Sequence, residues 1–125
     1  MARTQKYRVS WNYDARLIVE IDHDVLTEGE LHKINEFWMS AEDRLEECDG
    51  NVLHAVLGLL AEVCFRQCLQ ECLSVDMLID KFETGIEGWP RMDGSAGIKI
   101  INCIEPEFFI SDMYVTELGD EYDAY

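Results

Sequence analysis

The most apolar stretch of the chain, residues 51–73, has a hydrophobic pattern that nearly encircles a helix. Its polar stripe is narrow and recurs every four residues, at His54, Gly58, Glu62, Arg66 and Gln70. A helix with so narrow a stripe is normally buried by its neighbours on most sides. We therefore predict a central helix that Asn51 caps and in which Glu62 and Arg66 can pair. Its polar residues are too many for a membrane span.

Shorter patterns predict strands at both ends of the chain. Alternating aromatic and polar residues, followed by β-branched ones, predict a hairpin with strands at about residues 5–13 and 16–22. Residues 84–97 are rich in glycine and predict a loop. An apolar strand follows at 98–104, and residues 108–115 suggest either another strand or an irregular return.

Two further helices are predicted on either side of the central one. Thr27 fits a helix N-cap to which Glu30 reaches back, and apolar residues then recur at helical spacing to about Cys48. A third helix can begin at Ser74 or Asp76.

The predicted order of elements, β-β-α-α-(α)-β-(β), indicates an α+β fold in which a small antiparallel sheet packs against two or three helices. One domain covers residues 1–125, and we expect its acidic tail at 119–125 to be mobile. The pattern leaves open whether the chain's own sheet or a second subunit completes the burial of the central helix. In the second case the protein would be a homodimer.

The net charge of −16, from 10 basic and 26 acidic residues, is the dominant feature of the composition. The charge is uneven, because residues 1–13 carry +3 and residues 14–125 carry −19. So negative a field opposes direct binding to nucleic acid or to an anionic membrane, and it favours basic partners. The start of the chain lacks a signal-peptide pattern and the cysteines are odd in number, so we expect a reducing cytoplasm.

Cysteines recur along the central helix at Cys64, Cys68 and Cys72. Zinc could use two of them together with Cys48 or Cys103, since thiolates satisfy its tetrahedral coordination. Structural zinc sites, however, usually pair cysteines across a turn, and a free cysteine on an apolar helix face packs as a small hydrophobe. We therefore expect no metal or cofactor, and we keep a metal- or ligand-binding regulatory domain as the alternative function.

Catalytic groups are weakly indicated. A cysteine nucleophile would need a histidine within hydrogen-bonding reach, and none of the three histidines lies in a local catalytic signature. His32 is expected to be exposed, and His54 is the histidine most expected to be buried. The segment Asp22–Asp24 with His23 could serve a hydrolase, but it also fits a polar loop. We predict that the protein is not an enzyme.

Acidic residues are concentrated in two clusters. The first lies at the predicted C-terminal end of the first helix, where negative charge opposes the helix macrodipole. Folding alone would not favour that placement. We predict that the acids of both clusters bind a basic partner, although a solvated acidic face is the alternative. The first cluster consists of Glu42, Asp43, Glu46, Glu47 and Asp49, and the second of Glu117, Asp120, Glu121 and Asp123.

Trp89 lies beside Pro90 in the glycine-rich loop. An exposed tryptophan there would anchor a partner. The alternative is that Trp89 folds back over the core.

Several segments resemble a known family. They are Lys6-Tyr7-Arg8-Val9, Ile34-Asn35-Glu36-Phe37-Trp38, Asp49-Gly50-Asn51-Val52, Glu87-Gly88-Trp89-Pro90 and Gly97-Ile98-Lys99-Ile100. They are similar to a family of small proteobacterial and prophage proteins that is catalogued as a domain of unknown function. The resemblance covers most of the chain and includes no catalytic motif. It implies a phage or mobile-element setting, in which small acidic proteins often inhibit host defence.

These observations lead to one hypothesis. The protein is expected to be a phage-type inhibitor that acts in the bacterial cytoplasm. It would occupy the basic nucleic-acid-binding surface of a host defence complex, as an anti-CRISPR or anti-restriction protein that mimics DNA.

Overall fold

A computed structural model describes residues 3–12, 15–108 and 110–119 and confirms the predicted α+β class. One antiparallel sheet of three strands is covered on one face by helices. The elements, in chain order, are β1 (Thr4–Trp11), β2 (Ala15–Asp22), α1 (Glu28–Phe37), α2 (Ala41–Glu47), α3 (Val52–Glu71), α4 (Val75–Glu83), β3 (Ile98–Ile104) and a 3₁₀ turn (Ile110–Asp112).

The sheet has the order β1-β2-β3, so the hairpin strand β2 lies in the centre. Tyr7 of β1 is opposite Val19, which is opposite Ile100 of β3. Side chains alternate between the two faces of a strand. Leu17, Val19 and Ile21 therefore share the inner face, and each is fully buried.

Helix α3 packs on this inner face as the core helix of the fold. Nine of its residues are buried: Val52, Ala55, Val56, Leu57, Leu60, Ala61, Cys64, Phe65 and Cys68. The whole predicted polar stripe is exposed, and the Arg66 guanidinium lies 2.7 Å from the Glu62 carboxylate. His54, expected to be buried, is exposed because it belongs to that stripe. By length and composition α3 could cross a membrane, but half of its most apolar window is buried within the fold.

The predicted helix caps are present. The Thr27 side chain accepts a hydrogen bond from the Glu30 amide at 3.4 Å, Asn51 accepts one from the His54 amide at 3.1 Å, and Ser74 accepts one from the Met77 amide at 3.3 Å. Each cap satisfies an amide that has no partner inside its own helix. These side chains determine where α1, α3 and α4 begin.

The predicted single helix from residue 28 to Cys48 is wrong, because the chain breaks into α1 and α2. Ser40, between them, adopts a left-handed conformation with φ of 64°. The break is stabilised by Arg44, which reaches back across the gap. Its Nε donates to Oδ1 of the buried Asn35 at 2.8 Å, and its Nη atoms donate to the carbonyl oxygens of Asn35 and Met39, each at 2.9 Å.

Asn35 completes the junction by donating from Nδ2 to the Ala41 carbonyl at 3.2 Å. Carbonyl groups at the C-terminal end of a helix lack intrahelical partners. Arg44 satisfies such groups at the end of α1 and in the turn after it, and Asn35 adds a hydrogen bond to the first carbonyl of α2. The hydrogen bonds from the charged Arg44 side chain to several carbonyl groups therefore fix the orientation of α1 relative to α2.

The segment after β3 takes an irregular course rather than forming a further strand. Among the described residues beyond Ile104, regular structure is confined to the turn at Ile110–Asp112. Phe109, within the predicted strand, lies outside the described residues. Pro106 is buried, whereas Ile110 and Val115 are almost fully exposed.

Gly97 provides a test of the packing between the loop and the core. It has φ of +90°, and a Cβ there would lie 2.6 Å from the backbone nitrogen of Leu26. Gly94 has φ of +98°, but its nearest neighbour would be Lys99 Cβ at 3.8 Å. We expect Gly97→Ala to lower the free energy of unfolding by about 2 kcal/mol more than Gly94→Ala, because only the first adds a clash to the backbone strain. Equal losses in urea denaturation would contradict this.

Arg44 provides a test of the α1–α2 junction. We expect Arg44→Met to lower the free energy of unfolding by about 2 kcal/mol, since the buried Asn35 side chain and the carbonyl groups of the junction lose a charged donor. The matched control is Arg66→Met, which removes an exposed ion pair and should cost less than about 0.5 kcal/mol. Guanidinium denaturation measures both losses, and a loss for Arg44→Met no larger than that of the control would show that the junction does not depend on Arg44.

Candidate partner-binding surface

Five carboxylates lie together on α2 and the turn that follows it. We call Glu42, Asp43, Glu46, Glu47 and Asp49 the acidic patch. All five side chains are exposed, so the fold does not bury any of the charge. The seven residues of α2 contribute no buried side chain, and the helix packs on α1 and α3. The patch is therefore held on a defined support while its carboxylates face water.

The acidic patch has no ion-pair partner among the residues that the structure describes. The nearest cation in sequence is Arg44, but its guanidinium donates to Asn35 and to carbonyl oxygens. Arg44 therefore stabilises the support of the patch without pairing with it. Within the part of the chain that the structure describes, the five carboxylates at residues 42–49 are therefore unpaired.

The break between α1 and α2 corrects part of the electrostatic prediction. Glu42 and Asp43 lie in the first turn of α2, where the helix macrodipole stabilises negative charge. Glu46 and Glu47 lie in its last turn, where the macrodipole opposes them. Placement against the dipole thus holds for Glu46 and Glu47 and is wrong for Glu42 and Asp43, because α2 is a separate helix.

The second predicted cluster is described only in part. Glu117 is exposed on the irregular C-terminal segment. Asp120, Glu121 and Asp123, like all of the predicted tail beyond Gly119, lie outside the described residues.

Trp89 belongs to the core and does not serve as an exposed anchor. It is 9% exposed, and its ring lies 6.4 Å from that of Trp38, with Phe37 edge-on to Trp38 at 5.0 Å. A Cβ on Gly88 would lie 2.5 Å from the Phe37 ring, so a glycine is required beside the tryptophan. The two alternatives for Trp89 were an exposed anchor and a position folded back over the core, and Trp89 occupies the second.

Thiols from α3 and β3 meet in the interior. Cys68 Sγ lies 3.9 Å from Cys103 Sγ, and Cys64 is fully buried. Burial, together with the neighbouring thiols, raises the pKa of Cys64 well above its ordinary value, and burial also raises the pKa of Cys103 and Cys68. Cys72, which caps α3, is exposed. Within residues 3–12, 15–108 and 110–119, no group of three or more metal-ligating side chains is placed to hold an ion. The expectation that the protein binds no metal stays a prediction.

The groups proposed for hydrolysis lie at the end of β2 and in the loop after it, where His23 and Asp24 bond to different partners. His23 Nε2 lies 2.9 Å from the Tyr7 hydroxyl, and Asp24 pairs with Arg3 at 2.8 Å. Asp22 accepts a hydrogen bond from the Asp24 amide at 3.0 Å. This arrangement matches the polar-loop alternative.

The pair Asn35 and Arg44 was missed as a determinant of the site. The signal for it was present in the sequence: Asn35 interrupts an apolar helix face, and Arg44 is the one base among the acids of α2. A buried amide next to a lone arginine indicates a satisfied polar junction. The sequence pattern could not identify which carbonyl groups Arg44 binds.

The cysteines give a test of the interior. In native protein at neutral pH we expect iodoacetamide to label Cys72 at least about 100-fold faster than Cys64, because only an accessible thiolate reacts and burial keeps Cys64 neutral. Mass spectrometry of timed digests measures the two rates. Cys72→Ser should remove the fast phase, and unfolding in urea should equalise the rates of the remaining thiols. Rapid native labelling of Cys64 would contradict the packing of α3.

Comparison with known proteins places the chain among phage proteins. It is 40% identical over 116 residues to the lambda prophage-derived protein ea10 of Escherichia coli O6:H1 strain CFT073, covering 90% of this chain and 94% of the relative. Identity and coverage are the same for protein ea10 of Escherichia phage lambda. No solved structure matches the chain.

The model of one protein family covers residues 16–115, from β2 to the irregular C-terminal segment. Its description is "Protein of unknown function (DUF2528)". The match includes the acidic patch, the α1–α2 junction and the core helix. The chain belongs to the DUF2528 family of phage and prophage proteins of unknown function.

Proposed function

We propose that this protein is a non-enzymatic phage inhibitor that acts in the cytoplasm of the bacterial host. It binds the basic, nucleic-acid-binding surface of a host defence complex, such as a CRISPR effector or a restriction enzyme. It excludes the nucleic acid by charge and bulk. The observation that carries this proposal is the acidic patch, whose five carboxylates are exposed and have no ion pair among the described residues.

The geometry of α2 supports the mimicry of a nucleic acid strand. Glu42 and Glu46 are four residues apart, so the helix places these two residues about 6 Å apart along its axis. A basic groove that accommodates a row of phosphates can pair with such a row of carboxylates. Because Arg44 donates into the α1–α2 junction, it does not neutralise the row.

The overall charge supports a protein partner over a nucleic acid. At −16 the chain repels phosphate backbones and attracts basic surfaces from a distance, which speeds encounter. Close charge pairs at the interface then add specificity. The relatives in phage lambda and in a lambda prophage support a setting in which the partner belongs to the bacterial host.

A charge-reversal experiment tests the proposal. The patch variant carries Glu42→Lys, Asp43→Lys, Glu46→Lys and Glu47→Lys. The control variant carries the same change of charge on and after α4, at the exposed residues Asp76, Asp80, Glu83 and Glu87. Tagged wild-type protein is used to capture host proteins from lysate, and mass spectrometry identifies them. Titration of the purified partner then gives a dissociation constant for each variant.

We expect the captured partner to be a nucleic-acid-binding protein whose binding to duplex DNA is displaced by this protein. The patch variant should raise the dissociation constant about 100-fold or more, because several close charge pairs are lost, whereas the control should change it only a few-fold through the long-range field. Circular dichroism checks that both variants fold. Equal weakening by the two variants, or simultaneous binding of DNA and this protein to the partner, would contradict the proposal.

A further inference from the structure

The outer face of the sheet is basic, although the protein is strongly acidic. Residues paired across an antiparallel sheet share a face, and Lys6 is opposite Glu20, which is opposite Lys99. Arg8 and Arg16 lie on the same face, because Arg8 is opposite Ile18 and Ser10 is opposite Arg16. We call this surface the open face. It holds four of the ten basic residues of the chain against three acids, Glu20, Asp22 and Asp93, the last of which is opposite Lys99.

The open face is uncovered and its cations are available. The inward residues of β2 are fully buried, whereas Lys6, Arg8, Arg16 and Lys99 are all exposed. None of the four has an ion-pair partner among the residues that the structure describes. Apolar side chains lie between them, with Ile18 half-buried and Ile101 36% exposed. The surface therefore combines positive charge with apolar contact area.

The C-terminal segment has the complementary composition. We call residues 105–119 the C-terminal arm. The arm contains no basic residue and four acids, which are Glu105, Glu107, Asp112 and Glu117. Large apolar side chains lie between these acids and face solvent, and Ile110, Tyr114 and Val115 are 93%, 96% and 98% exposed. Exposed apolar side chains clustered in one segment mark a surface that binds a protein.

The arm leaves the fold at the end of β1. Pro106 is buried, and Phe108 lines an apolar groove with Trp11, Phe65 and Leu69 on the helical side of the sheet. From Ile110 to Gly119 the side chains of the arm in one copy are exposed to solvent. The ten residues from 110 to 119 can span about 30 Å when extended, which is enough to cross all three strands of a neighbouring sheet.

We propose that the open face binds the C-terminal arm of a second copy of this chain, and that the exchange is reciprocal. Each copy supplies one basic face and one acidic arm, so two copies close a two-fold symmetric dimer. Direct stacking of two open faces is disfavoured, because it would bring the cations of one copy against those of the other. Helix α2 packs on α1 and α3, on the other side of the sheet, so both acidic patches stay accessible in the dimer.

The test is a charge swap on the full chain. The face variant carries Lys6→Glu, Arg8→Glu and Arg16→Glu. The arm variant carries Glu107→Lys, Asp112→Lys and Glu117→Lys. A combined variant carries all six changes. Sedimentation equilibrium gives the dimer dissociation constant of each, and circular dichroism with thermal melting checks that each folds.

We expect the wild type to be a dimer and each single variant to raise the dissociation constant about 100-fold or more, because several close charge pairs become repulsive. The combined variant should restore the dimer, since its arm is basic and its face acidic. An equimolar mixture of the face variant and the arm variant should form a heterodimer. Raising the ionic strength from about 0.05 M to about 0.5 M should weaken the wild-type dimer through screening.

Three results would overturn the proposal. A monomeric wild type would mean that the arm stays free or folds onto its own face. A dimer that persists in the face variant would place the interface elsewhere. Failure of two folded single variants to associate when mixed would exclude pairing between face and arm. Because the substitutions of the face variant lie in neither predicted acidic cluster, capture of the host partner by that variant serves as a separate readout of the proposed function.

Discussion

The burial of α3 is the constraint on which the rest of this fold depends. A helix that is apolar on nearly every side cannot be covered by one neighbour, so the sheet must lie across it while α1 and α4 pack alongside. The inner face of the sheet is correspondingly apolar, with Leu17, Val19 and Ile21 fully buried. The polar stripe of α3, from His54 to Gln70, stays exposed to water. This arrangement assigns the helices to one side of the sheet and leaves the other side open.

Within that frame a single arginine determines how the acids are presented. Arg44 donates to Asn35 and to carbonyls at the end of α1, so the chain turns there and starts a second, short helix. The free energy gained is that of charged hydrogen bonds to the side chain of Asn35 and to the carbonyl groups of the junction. The consequence is electrostatic as well as structural, because the cation nearest in sequence to Glu42 and Glu46 is used inside the junction.

Local signals made much of the fold predictable. The α+β class, the central helix and its stripe, and the capping roles of Thr27, Asn51 and Ser74 all follow from residues close in sequence. The break between α1 and α2 could not be predicted in this way. Apolar residues keep helical spacing through it, and what interrupts the helix is the contact of Arg44 with Asn35, nine residues away.

The sequence was enough to predict which residues form the candidate site, but not how those residues are arranged in space. Exposure of the acidic patch follows from its charge, whereas the position of each acid relative to the dipole of α2 depends on where that helix begins. The position of Trp89 could not be predicted for the same reason, since it packs near Trp38 and the two residues are about fifty positions apart in sequence. The approach of Cys68 to Cys103 likewise depends on how β3 returns to α3.

The separation of charge between the two sides of the sheet gives the molecule an electric dipole moment. Its positive end is the sheet surface around Arg8 and Arg16, and its negative end is the helical side that carries α2. In the field of a basic groove such a body experiences a torque as well as an attraction. If the partner is the basic groove proposed above, a single copy would arrive with α2 turned forward and the sheet turned away, so that fewer encounters would occur in the wrong orientation.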